Sequence, residues 1–313
     1  MKRSALIFPG QGAQYVGMGK ELCAESAVAR AVFERANAEL GFDLAAICFE
    51  GPAQQFTQSA VCQPAILTLS IAAYSVLKNE FAELLGALSA CAGLSLGEYS
   101  ALVACGSLCF EDAVRLVHKR GQFMDEASAE NPGTMACILG LDLEKAESVC
   151  ADTAAEIANL NCPGQIVISG THDSIAKASE LAQKAGAKRV IPLDVSGPFH
   201  SSLMLPAAEK LSMELEKVTL QKPVIPFIPN VTADFLDDEK LIKELLTKQV
   251  SHTTYWEKSI INMKDSGIEL FYELGPGKVL RGLLQRIDLN LQVVNLEKSA
   301  DFLGLREKVE ETA

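Results

Sequence analysis

The pentapeptide Gly93-Leu94-Ser95-Leu96-Gly97 stands between an apolar run, residues 87–92, and a helix-like stretch, residues 98–103. A strand that turns at once into a helix needs small residues on both sides of the turn. The two glycines supply them, and they leave Ser95 at the tip with a helix N-terminus behind it. The pattern predicts a nucleophile elbow and an α/β sheet to carry it. Ser95 becomes a candidate acyl carrier, which in turn needs a base, an orienting group and something to grip the substrate.

The rest of the chain reads as the same class. Residues 4–8 form an expected buried strand that ends in Pro9-Gly10-Gln11-Gly12, and helical patterns follow to about Lys78. Residues 65–77 are too many for a buried strand and predict a buried helix. Alternating strands and helices predict a mostly parallel sheet covered on both faces. Between Gly133 and Gly197 the rhythm changes. Strands are expected at 134–139, 156–160, 165–169 and 189–193, with helices at 143–150 and 173–185. That βαββαβ order is the ferredoxin-like unit. The expected division is a large α/β domain of residues 1–130 and 198–313, interrupted by a small insert, 131–197. A strand near 269–274 and a last helix near 303–310 return to the large domain.

Composition narrows the function. The length of 313 residues suits one large domain with a smaller one added. A hydrophobic content of 49% with 22% charged residues is that of a soluble globular enzyme. A net charge of −12 gives no basic field for nucleic acid or an anionic membrane. An acidic protein partner would need a local basic cluster, such as Lys188-Arg189 or Lys278 with Arg281 and Arg286; ordinary solvated charge is the other reading of both. The nine cysteines are scattered, without C-x-x-C or zinc-spaced clusters, so no metal site is expected and a reduced cytoplasm fits. The basic start, Met1-Lys2-Arg3-Ser4, precedes too few apolar residues for a signal segment. No uninterrupted apolar run approaches about 18 residues, so no membrane span is expected.

A serine nucleophile needs a base, and the chain has four histidines. His118 falls on the polar side of an expected helix with Arg115, Gln122 and Glu126, where it is solvated. His172 sits in a turn ahead of a helix, and His252 in a polar loop; both read as structural, with a site role the other reading of His252. His200 follows Ser196-Gly197-Pro198-Phe199, a stiff turn at the expected domain boundary, where clefts form. Arg120 shares an apolar helix face with Ala113, Leu116, Val117, Phe123, Met124 and Ala127. A guanidinium there is costly unless an anion meets it. Either an internal acid pairs with it, or it clamps a substrate carboxylate. Gly10-Gln11-Gly12 lacks the third glycine of a dinucleotide fingerprint. Gly275-Pro276-Gly277-Lys278 lacks the upstream glycine and following Ser/Thr of a Walker loop, so no nucleotide cofactor is expected.

In their order along the chain these motifs resemble those of the malonyl-CoA:acyl carrier protein transacylase family. The residues that carry the resemblance include Phe8-Pro9-Gly10-Gln11-Gly12-Ala13-Gln14, Gly93-Leu94-Ser95-Leu96-Gly97-Glu98 and Arg120-Gly121. They continue through Asn159-Leu160-Asn161, Pro163-Gly164-Gln165, Gly197-Pro198-Phe199-His200-Ser201, Asn230-Val231-Thr232, Gln249 and Glu273-Leu274-Gly275-Pro276-Gly277. The resemblance implies an α/β-hydrolase-like large domain with a ferredoxin-like insert. It implies Ser95 as nucleophile, His200 as general base, and the side-chain carbonyl of Gln249 orienting the imidazole. Backbone N–H groups of Gln11 and Leu96 would form the oxyanion hole. Arg120 would pair with the malonate carboxylate, and Phe199, Asn159 and Asn161 would line the substrate site.

The implied partners are malonyl-CoA and acyl carrier protein, in a ping-pong exchange without metal or redox cofactor; cysteine usage fits the cytoplasm, and a monomer is the default expectation. A neutral amide in place of the hydrolase carboxylate would leave the serine slow with water, so exchanging Gln249 for Glu is expected to raise hydrolysis. Phe199 is expected to disfavour methylmalonyl groups. Leu94 departs from the histidine that many members carry before the nucleophile, and in the simplest geometry it points away from the site. Three rivals remain. A serine hydrolase or thioesterase would need a carboxylate, such as Asp194, on His200. A silent carrier-binding scaffold would need no nucleophile, and a polyketide acyltransferase would share the chemistry and serve another carrier.

Overall fold

The computed structural model describes residues 2–236 and 238–312. One sheet contains β1 (Ser4–Phe8), β2 (Leu88–Gly93), β7 (Phe227–Ile228), β8 (Leu270–Leu274) and β9 (Gln292–Leu296). Their order is β7-β2-β1-β8-β9, and each neighbouring pair is parallel. The central β1 is buried along its whole length. Leu6 and Phe8 pack into the apolar layer on one face, Ala5 and Ile7 into the layer on the other. A strand covered on both faces has to read as a continuous apolar run, which is why this one was plain in the sequence.

The other sheet is contiguous in the chain. It holds β3 (Gly133–Leu139), β4 (Glu156–Cys162), β5 (Gln165–Thr171) and β6 (Arg189–Pro192), in the order β4-β5-β3-β6 with antiparallel pairs. Two helices, Leu143–Thr153 and His172–Lys184, cover one face. Strand alternation then sorts the side chains. Ala136, Ile138, Ile166 and Ile168 pack under those helices. Met135, Cys137 and Val167 face the other way, into a cleft between the two sheets. A loop stitches the sheets together at β4. Thr254 donates its N–H to the Ala158 carbonyl at 2.9 Å and accepts from the Leu160 N–H at 2.9 Å.

The α/β class, the parallel sheet and the βαββαβ unit agree with the sequence reading. β7 and β9 are added to it, as are the helices between residues 205 and 287. The helix Ser59–Glu80 contains the buried helix expected at 65–77. It is long and apolar enough to cross a membrane by length and composition, although polar residues such as Gln63, Thr68 and Ser70 interrupt its run. It lies in the protein's core instead, with 78% of its most apolar window buried.

Candidate active site

The elbow is fixed by contacts that exclude any side chain. A Cβ on Gly93 would lie 1.9 Å from the Gly97 carbonyl carbon, and one on Gly97 would lie 2.2 Å from the Phe8 carbonyl oxygen. Ser95 itself adopts a left-handed backbone, with φ of 50°. A non-glycine residue holds that conformation only where its surroundings enforce it, and such positions cluster at functional sites. Here Asn230 enforces it. Its side-chain oxygen accepts the Ser95 N–H at 2.6 Å, and its amide donates to the Gly93 carbonyl at 2.7 Å.

His200 also has a positive φ, 58°, and is buried. Its Nε2 lies 2.9 Å from Ser95 Oγ, and its Nδ1 lies 2.7 Å from the main-chain carbonyl of Gln249. A carbonyl can only accept, so Nδ1 carries the proton and Nε2 presents its lone pair to the serine. Burial, and then the charge of Arg120, push the imidazole down to about 4. It is therefore neutral and ready to take a proton near neutral pH.

This geometry replaces one expectation. The group that orients His200 is the backbone carbonyl of Gln249 rather than its side chain. The side chain reaches elsewhere: Oε1 accepts from Arg120 at 3.0 Å, while Nε2 donates to the Ser95 carbonyl at 2.8 Å and to Glu98. Exchanging Gln249 for Glu thus has no direct path to the imidazole, and the expected gain in hydrolysis loses its physical basis. Asp194 lines the cleft but is exposed and makes no bond to His200.

Arg120 lies on the helix Phe110–Glu130, fully buried at 1% exposure. Gly121 beside it lets that helix cross close to the start of Ser59–Glu80, since a Cβ there would stand 2.4 Å from the Ala60 nitrogen. The guanidinium donates to Gln63 Oε1 at 2.7 Å, to Ser95 Oγ at 3.1 Å and to Gln249 Oε1, all neutral acceptors. No carboxylate among the described residues forms an ion pair with it, and its Nε–H has no partner. Burial lowers its proton affinity. The internal-acid alternative of the sequence reading therefore has no direct counterpart, and a cation waits in the cleft without an anion.

The cleft measures about 610 Å³. Gln11, Leu94, Ser95, Leu96, Arg120, Asn159, Asn161, Phe199 and His200 all line it. Among the described residues the backbone N–H groups of Gln11 and Leu96 have no intramolecular acceptor. Leu94 is half-buried in the cleft wall rather than turned away from it. Asn159 donates its amide to Thr254 Oγ1 at 2.6 Å, so its side chain is already engaged. Asn161 is buried, and its side-chain oxygen has no partner. Phe199 is 6% exposed beside the histidine. His118 is half-buried rather than solvated, with Nδ1 2.7 Å from the Ala60 carbonyl.

Two helical residues that hold this constellation had no role assigned from sequence, Gln63 and Glu98. Each is a polar residue on a helix that is otherwise apolar or buried, which is the signal they offered. Glu98 is 1% exposed, and its two oxygens accept the Asn230 backbone N–H and the Gln249 amide. Burial raises the Glu98 carboxyl to about 8, although the Asn230 N–H, the Arg120 charge and the Gln249 amide pull it back. With both oxygens facing N–H donors, the ionised form is the one these bonds satisfy.

Comparison with known proteins agrees with this picture. A family profile described as the acyl transferase domain matches residues 5–289. The chain is 46% identical over 299 residues to the malonyl CoA-acyl carrier protein transacylase of Bacillus subtilis, covering 94% of this chain and 93% of that one. The crystal structure of acyl-carrier-protein-S-malonyltransferase from Bartonella henselae superposes with a TM-score of 0.95 at 38% identity, covering 99% of this chain and all of the other (100%). A malonyl-transacylase solved in complex with its holo type II PKS acyl-carrier protein matches with a TM-score of 0.94 at 36% identity, over 98% of this chain and 100% of that one. Serine, imidazole and unpaired guanidinium meet here on the backbone those proteins share, and the chain belongs to the malonyl CoA-acyl carrier protein transacylase family.

Proposed function

We propose that this protein moves a malonyl group from malonyl-CoA to the pantetheine thiol of an acyl carrier protein, through an ester on Ser95, in support of fatty acid synthesis. The observation that carries this reading is Arg120: a buried cation without an ionic partner, 3.1 Å from a serine hydroxyl that also meets a neutral imidazole. A hydrolase needs no such cation, and its carboxylate partner for histidine is a neutral carbonyl here.

In the first half-reaction the Oγ–H proton passes to His200 Nε2 as Oγ attacks the thioester carbon. The tetrahedral oxyanion takes the backbone N–H groups of Gln11 and Leu96. The C–S bond then breaks, and His200 returns its proton to the departing CoA thiolate. Arg120 turns its N–H groups from Ser95 Oγ to the free carboxylate, which sets the acyl carbon over the serine. The second half-reaction runs the same steps backward with the carrier thiol as nucleophile. Thioester and ester exchange at similar energies, so the chemistry calls for no metal or redox cofactor. Phe199 narrows the space by the α-carbon. Asn161 offers its free oxygen to an N–H of the pantetheine arm, and Asn159 shapes the wall through Thr254.

Several further assignments belong to the same reading. Residues 131–197 act as an inserted subdomain that closes one side of the cleft. Lys278, Arg281 and Arg286 flank the cleft-lining Val279 and Leu283, where an acidic carrier would approach. The nine cysteines are all free thiols, which suits a reducing cytoplasm, and a monomer suffices for the chemistry. Intact mass after mixing with malonyl-CoA tests the function. A malonyl adduct should form on the native chain, be absent in Ser95→Ala, and be much weaker with acetyl-CoA. A malonyl adduct that survives in Ser95→Ala would refute the assignment.

A further inference from the structure

Two fully buried ionisable side chains, Arg120 and Glu98, stand close together without touching, joined by a third. Arg120 and Glu98 are each 1% exposed, and neither forms an ion pair among the described residues. What lies between them is the Gln249 side chain. Its oxygen accepts from the guanidinium at 3.0 Å, and its nitrogen donates to the carboxylate. The amide dipole thus runs with the field, carbonyl toward the cation and NH₂ toward the anion.

A direct ion pair would have occupied the guanidinium's fork and removed it from use. A carboxyl held one amide away leaves the fork available to a substrate. The carboxylate is itself tied to the elbow, because its other oxygen accepts the backbone N–H of Asn230, the residue that holds Ser95 and Gly93. The carboxyl group, the amide and the guanidinium therefore share one frame with the nucleophile.

We propose that Glu98 is a positioning residue: through the Gln249 side-chain amide it holds the Arg120 guanidinium, and so sets the preference for acyl groups that bear a carboxylate. This rests on Arg120 as the carboxylate clamp. Gln249 then serves two partners with two different parts, its main-chain carbonyl for His200 and its side chain for Arg120.

The test compares acylation of Ser95 by malonyl-CoA and by acetyl-CoA, as single-turnover kcat/KM, in the full-length native chain, Glu98→Gln, Gln249→Met and the double variant. The Gln249→Met chain keeps the carbonyl on His200 and loses the bridge. In each single variant the malonyl-over-acetyl ratio should fall at least ten-fold. Because the two residues act in series, the double variant should fall no further than the larger single effect. A ratio within two-fold of native in Gln249→Met, with both substrates slowed alike, would show a purely structural role and overturn the proposal. Additive losses in the double variant would overturn the series arrangement. If Glu98→Gln does not fold, Gln249→Met decides alone. A native chain with no malonyl preference removes the clamp reading and this proposal with it, whereas a native preference that Arg120→Ala abolishes and Gln249→Met leaves intact removes the proposal alone.

Discussion

His200 allows a quantitative expectation for how acylation depends on pH. Burial and the Arg120 charge move the imidazole from its ordinary 6.5 to about 4. A base works only when neutral, so the acidic limb of the rate profile follows that value. At pH 5.5 about 9% of ordinary imidazoles would be neutral, against about 97% of imidazoles titrating near 4. The two cases differ roughly ten-fold in rate. The assay is kcat/KM for malonyl transfer to Ser95, followed by rapid quench and intact mass between pH 5 and 8, with circular dichroism confirming that the fold persists. We expect a profile nearly flat down to pH 5.5. Arg120 is the second cause of the depression, so Arg120→Met should shift the limb upward when measured with acetyl-CoA, whose acyl group needs no clamp. A native limb centred near 6.5 would refute the reasoning, since the histidine would then be sensing neither its burial nor the guanidinium.

Three other outcomes follow from the packing. Asn230→Ala leaves the part-buried Ser95 N–H and the buried Gly93 carbonyl without that partner, and should cost about 2–4 kcal/mol in a urea titration along with most acylation. Gly121→Ala forces a Cβ to 2.4 Å from the backbone of Ser59 and Ala60. It should destabilise by about 1–3 kcal/mol, read as a lowered Tm, and displace Arg120 as the helices part. Phe199→Ala should raise methylmalonyl transfer relative to malonyl about ten-fold, checked by competing the two CoA esters and weighing the adducts; an unchanged ratio would remove Phe199 from selectivity.

What could be read from the chain depended on whether a residue acts through its side chain. Ser95, His200 and Arg120 do, and each stood out by type and setting: a serine between glycines, a histidine after a stiff turn, a cation on an apolar stripe. The orienting carbonyl behind His200 is main chain, and any residue at position 249 would supply one, so the sequence pointed to the amide instead. Glu98 sat inside the elbow motif, yet its link to Arg120 runs across a 151-residue separation to Gln249, which periodicity does not carry. β1 and the small sheet were legible because burial on two faces and strict alternation leave distinct patterns. β7 has two residues, and β9 begins at exposed Gln292 and carries Asn295, so neither shows a run.

The seam at Thr254 has a kinetic meaning. Paired bonds between that loop and β4 tie the small sheet to the large domain on one side of the cleft. Both thiol-bearing arms reach Ser95 through this one cleft in turn. Excess free CoA should therefore slow the carrier's half of the cycle by standing in the doorway.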